Sequence, residues 1–149
     1  MQVFFKGEIK GIKMKAKEKI VTITDGDDKG KMFVIQKMHA EPLEDWGLRL
    51  ILGLARSGIE IPPDIERSGI AGIVRYGFSG AMSQLRIEEL RPLLAEMMDC
   101  VQIIPDPKNP SFMRPLVEND IEAVSTRLYL RKEWIALHTG FSIPDITLK

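Results

Sequence analysis

The periodicity of the apolar residues changes once along this chain, close to His39, and that change limits what the chain can fold into. Before it, "KIVTIT" and "MFVIQKM" are dense in β-branched side chains, which pack well on a pleated surface. After it, apolar residues recur three and four positions apart, the spacing of one helix face. The charge shifts at the same place. Residues 1–38 hold nine lysines, no arginine and five acids, whereas residues 39–149 hold three lysines, nine arginines and sixteen acids. The fold class read from this is α+β. An N-terminal β-hairpin or small antiparallel sheet occupies a lysine-rich segment, residues 1–38. A compact bundle of about four helices follows over residues 39–149, and the two parts form one globular unit.

The hairpin strands are expected at about 19–24 and 31–38. Lys10, Lys13, Lys15, Lys17 and Lys19 suit an exposed or edge strand, where charge discourages sheet-to-sheet pairing. A nucleic-acid arm is the alternative. It lacks an aromatic ladder beyond Phe5, and the chain balances 21 cations against 21 acids, so no nucleic-acid partner is expected.

"EPLEDWGLRLILGLARSG" reads as the first helix, with Glu41, Glu44 and Asp45 at the positive end of its dipole and Gly58 as its stop. Leu43, Trp46, Leu50 and Leu54 make its apolar stripe. Gly47 and Gly53 inside it each cost roughly 1 kcal/mol against Ala, which the close approach of a neighbouring helix would justify. A weaker second helix lies within "PPDIERSGIAGIVRYGFSGAM", and "RIEELRPLLAEMMDC" is the third, with Pro92 near its first turn. "VQIIPDPKNPSFMRP" reads as a linker because of its prolines. The last helix is expected from about 120 to 139, with Asn119 as its cap and Glu122 reaching back; Gly140, Phe141 and Pro144 close it.

The most site-like string is "TDGDDKGKMF", residues 24–33. A phosphate loop needs Gly, four residues, then Gly-Lys-Ser/Thr. Here Gly26 and Gly30 enclose three residues, and Met32 stands where the hydroxyl belongs. Counted as a calcium loop from Asp25, the string puts Lys29 and Gln36 at ligand positions five and twelve. A turn between strands is the better reading. The rest of the catalytic inventory is thin. His39 marks the strand-to-helix joint, His138 suits a helix C-terminus as an imidazolium, and Cys100 reads as a small buried residue. No catalytic residue, metal ligand or cofactor is expected.

The last helix is apolar on two sides. Val117, Ile121, Val124, Leu128 and Ile135 share one face; Leu130, Trp134 and Leu137 share another, ending at Phe141. Either the helix is central in the bundle, or Leu130, Trp134, Leu137 and Phe141 meet a partner or another copy.

"EDWGLRLILGLARSG", "GIAGI", "LLAEMMDCVQI" and "DIEAVSTRLYLRKEWIALHTGFS", in this order, resemble the tail assembly chaperones, small proteins encoded in tail gene clusters of bacteriophages and prophages. The resemblance spans roughly residues 31–142. It departs from the family at Gly47 and Gly53, where alanine is expected, and residues 1–19 lie outside it. It implies a protein without catalysis that binds the tape-measure protein in the bacterial cytoplasm, with the tail-tube protein as a further partner. A tape measure is a long apolar helical chain, so helix-in-groove contacts suit it, and eight methionines would let the surface adapt. The alternative is a structural tail component or a small homo-oligomeric interaction protein of a prophage. The start "MQVFFKGEIKG" has no signal-like apolar run, and no stretch is long enough to span a membrane, so a soluble cytoplasmic protein is expected.

Overall fold

A computed structural model of the chain describes residues 8–9, 12–13, 17–58 and 85–139. Two strands, β1 (Glu8–Ile9) and β2 (Ile12–Lys13), pair with each other. β3 (Glu18–Thr22) and β4 (Met32–Gln36) form the expected hairpin, with Glu18 opposite Gln36 and Thr22 opposite Met32. The turn closes through Gly30 N–H donating to Ile23 O at 2.8 Å and Ile23 N–H donating to Lys31 O at 3.0 Å. Gly26 and Gly30 take φ values of 81° and 89°, a region where a side chain would be strained.

α1 (Ala40–Arg56) buries Trp46, Gly47, Leu50, Gly53 and Leu54, largely the stripe the sequence pattern gave. α2 (Ile87–Asp99) carries Pro92 in its second turn and buries Leu93, Met97 and Met98. The expected helix within "PPDIERSGIAGIVRYGFSGAM" lies outside the described residues. A Cβ placed on Gly53 would sit 2.4 Å from Glu89 Oε2 and 3.0 Å from Leu85 Cδ2, so α1 and the start of α2 do approach closely there. Arg49 ties the same two helices by a two-pronged bond to Glu96, at 2.6 and 2.5 Å.

Two expectations need correction. The presumed linker contains β5 (Val101–Ile104), which pairs antiparallel with β4, and β6 (Arg114–Pro115), which pairs with β5. The sheet order is β3-β4-β5-β6, so strands from both sides of His39 build one sheet. The apolar alternation of Val101 and Ile103, both facing the core, outweighs the prolines that follow. The last helix, α3 (Val124–Thr139), starts later than 120, after a short 3₁₀ turn at Glu118–Asp120. Its entry is not capped by Asn119.

The described residues thus form a mixed α+β fold of a four-stranded antiparallel sheet and three helices. The core lies where Val21, Phe33, Ile35, Val101 and Ile103 of the sheet meet Trp46, Leu50, Leu54, Leu93, Met97, Leu130 and Trp134 of the helices. Full burial of each large apolar side chain contributes roughly 1.5–3 kcal/mol. Among the described residues no helix is long and apolar enough to cross a membrane.

Candidate functional site: helix faces and an ionic clasp

Aspartate in a glycine-flanked turn has a short side chain that can reach unpaired amides nearby. In the β3–β4 turn the amides it reaches lie immediately before α3. Asp28 is fully buried and accepts bonds from Glu122 N–H at 2.9 Å, Ala123 N–H at 3.0 Å, the Thr126 hydroxyl at 2.6 Å and Lys31 Nζ at 2.9 Å. Burial alone would raise its pKa, but the Thr126, Glu122, Lys31 and Ala123 donors outweigh burial and hold it well below the usual carboxylate range. Lys31 also donates to Asp120 O at 2.9 Å, and its own pKa is raised chiefly by Asp28. Asp120 receives both arms of Arg114, at 2.8 and 2.9 Å, and its pKa is lowered chiefly by that pair. In "TDGDDKGKMF" the Asp28 oxygens are therefore engaged by the chain itself. The string serves as a remote cap for α3.

The hairpin meets α3 at two further points. Lys19 Nζ lies 2.5 Å from Glu133 Oε2. Beyond β4, Met38 N–H donates to His138 Nε2 at 2.9 Å, and His138 Nδ1–H donates to Trp134 O at 2.8 Å. One ring nitrogen accepts and the other donates, so the imidazole is neutral. Burial lowers its pKa to about 4. The expected imidazolium at the helix end is thereby corrected: desolvation outweighs the dipole.

The candidate partner residues divide. Leu130 and Trp134 are both 0% exposed, and Trp134 lies against Trp46 with ring centroids 5.0 Å apart and stacks on His138 at 3.9 Å. They are core residues and cannot serve as surface anchors. Leu137 is half-buried against the same core, and Phe141 lies outside the described residues. The other face is exposed over its first part: Val117, Val124 and Leu128 are 62%, 71% and 51% exposed, while Ile135 is buried. Of the two readings of this helix, the one that places Leu130 and Trp134 inside holds, although Val124 and Leu128 stay uncovered. Sequence spacing gives the faces of a helix; it does not say which one the sheet covers. A second exposed pair, Leu48 and Leu52 of α1, was missed because the buried stripe of α1 already accounted for that helix.

Elsewhere the chemistry is quiet. Burial pushes the Cys100 thiol pKa up, and the Trp134 indole tempers the rise. His39 stands exposed before α1. A polar cleft of about 160 Å³ lies between the hairpin end and α3, lined by Thr22, Thr24, Asp25, Ser125, Thr126 and Tyr129. That is smaller than the ~300–1,000 Å³ usual for small-molecule sites; a larger hollow of about 460 Å³ lies at Lys17, Glu18, Gln36, Lys37, Met38 and His39. Among the described residues no three of His, Cys, Asp and Glu converge to hold a metal ion.

Comparison with protein-family models, with curated proteins and with solved structures finds no match to this chain.

Proposed function

We propose that the protein is a tail assembly chaperone of the phage or prophage type: a non-catalytic adaptor that binds the helical tape-measure protein in the bacterial cytoplasm, with the tail-tube protein as a further partner. The resemblance of "EDWGLRLILGLARSG" and the closing helix motivates the reading. The observation that carries it is that α1 and α3 each keep a second apolar stripe in solvent: Leu48 and Leu52 at 50% and 54% exposure, Val124 and Leu128 at 71% and 51%. Such i, i+4 pairs are the anchors by which one amphipathic helix seats another. Charge reversal at rim positions or Asp at the stripes would leave the core intact while weakening the seat.

The test is co-expression with the tape-measure protein encoded in the same gene cluster. The wild type is expected to keep the tape measure soluble and to co-purify with it. Leu48→Asp and Leu128→Asp are expected to fold yet lose it. A tape measure equally insoluble with and without this protein would overturn the proposal. Recovery of the protein in finished, washed particles would favour a structural tail component instead.

A further inference from the structure

β3 bonds to β4 through its odd-numbered residues. Lys37 N–H donates to Lys17 O at 2.8 Å and Ile23 N–H donates to Lys31 O at 3.0 Å, at the two ends of the register that sets Ile20 opposite Val34. Successive residues of an antiparallel strand bond on alternate sides, so the N–H and C=O of Glu18, Ile20 and Thr22 point away from β4. β3 begins the sheet order β3-β4-β5-β6, and no strand pairs with its other side among the described residues. Lysines commonly guard such an open edge. Here Lys19 is held by Glu133 at 2.5 Å, and Ile20 stands 48% exposed beside the open backbone groups.

At one end of this edge the strand pair carries uncompensated charge. Lys17 and Lys37 stand opposite each other, just beyond the ends of β3 and β4. Like charges so placed destabilise a strand pair. Neither lysine has a carboxylate partner among the described residues. Both line the hollow of about 460 Å³, together with Glu18, Gln36, Met38 and His39. By strand alternation Glu18 points to the opposite face and does not come between them. The hollow has no Phe, Tyr or Trp on which a base would stack. A carboxylate on an extended chain suits both the lysine pair and the edge that runs from it.

We propose that the open edge of β3 docks an extended, acid-bearing segment of a partner protein, which adds as a further strand along Glu18, Ile20 and Thr22 and sets a carboxylate between Lys17 and Lys37. Backbone bonds to the three residues supply affinity whatever the sequence, and alternate side chains select the partner. An apolar residue lies beside Ile20 and an acid meets the lysine pair. Ile20 and Lys17 are three residues apart, ~10 Å along the strand, so the partner's apolar residue and its acid are three positions apart as well. The site is separate from the helix faces assigned to the tape measure, so either assignment can fail without the other.

Amide hydrogen exchange read residue by residue by NMR tests it. The probe is a short end-capped peptide of alternating threonine and valine closed by two glutamates, titrated to ~1 mM. The same peptide closed by two lysines is the control. With the acidic probe, exchange at Glu18, Ile20 and Thr22 is expected to slow several-fold, while Lys19 and Val21, which face β4, stay unchanged. Lys17→Glu/Lys37→Glu is expected to lose the acidic probe and to take the lysine control instead, which also shows that it folds. Ile20→Pro deletes an N–H that faces away from β4 and is expected to bind neither peptide, with unaltered circular dichroism. Should proline disturb the hairpin, an acidic probe N-methylated at alternate residues replaces that variant and is expected not to bind the wild type. No protection of Glu18, Ile20 and Thr22 at the highest peptide concentration would overturn the proposal, and so would equal binding of the two probes. Protection in the free protein that grows with its own concentration would assign the edge to a second copy and overturn it too.

Discussion

At its N-terminal end, α3 is met by a buried carboxylate from the β3–β4 turn; at its C-terminal end, after sixteen helical residues, its own neutral imidazole, His138, receives a backbone amide from Met38. Both attachments come from the same hairpin, and both join residues more than ninety positions apart in the chain. At the first end, unpaired N–H groups and the positive end of the dipole favour an anion, and Asp28 is one. At the second, the dipole favours a cation by ~0.3–2 kcal/mol. Burial opposes it more strongly: moving a histidine pKa from 6.5 to about 4 corresponds to about 3 kcal/mol. Where the dipole and desolvation agree, the end is charged; where they conflict, desolvation decides.

The comparison can be broken most forcefully at the centre of the second end. Trp134→Ala removes the ring that stacks on His138 and packs on Trp46. It is expected to cost ~3–5 kcal/mol in urea unfolding, the range for a buried aromatic. A loss below ~1 kcal/mol would mean that Trp134 is not core. At the first end, Asp28→Asn keeps the shape but loses the charge and forces one amide hydrogen toward donors. It is expected to cost ~2–4 kcal/mol, as breaking a buried charged network does, and to raise amide exchange at Glu122 and Ala123. Thr126→Val removes only one of the Asp28 donors and is expected to cost ~1–2 kcal/mol.

These two ends also show what the sequence could and could not reveal. The hairpin, α1 and the third predicted helix were legible because their signals are local: β-branched runs, helical spacing, a terminal glycine. Asn119 and Glu122 offered a plausible local cap, but a carboxylate ninety-four residues away supplies it. No local pattern encodes such a partner. β5 was lost for a related reason, since "VQII" is short and its prolines spoke first, while its partner β4 lies far upstream. The candidate site was half legible. The apolar spacing along α3 was legible, but which residues face water depends on where the sheet sits, and that is a tertiary fact.

Smaller substitutions sharpen the contrast between buried and exposed ties. Lys19 is largely exposed, so Lys19→Ala is expected to cost no more than ~1 kcal/mol despite its short contact with Glu133. Gly53→Ala gains ~1 kcal/mol of helix propensity and must displace the Glu89 carboxylate, the far end of a flexible side chain. The two effects nearly cancel, and the midpoint of denaturation is expected to stay within ~1 kcal/mol of wild type.

The opposite chemistry of the two ends separates them by pH. His138 has its folded pKa lowered, so the unfolded chain takes up the proton first; its contribution is full above pH ~6.5 and is lost as pH falls toward about 4. Asp28 also has a lowered folded pKa, so its contribution is full above the unfolded value near 4 and is lost only at lower pH. Urea unfolding of wild type, His138→Asn and Asp28→Asn from pH 8 to pH 3 therefore tests the account directly. The wild type is expected to be level above pH ~6.5, to lose about 3 kcal/mol by pH ~4, and to fall further below that. His138→Asn is expected to be flat through the first window and Asp28→Asn to be flatter than wild type in the second. A wild type equally stable at pH 7 and pH 4.5, or a His138 ring that titrates near 6.5 by NMR, would contradict it.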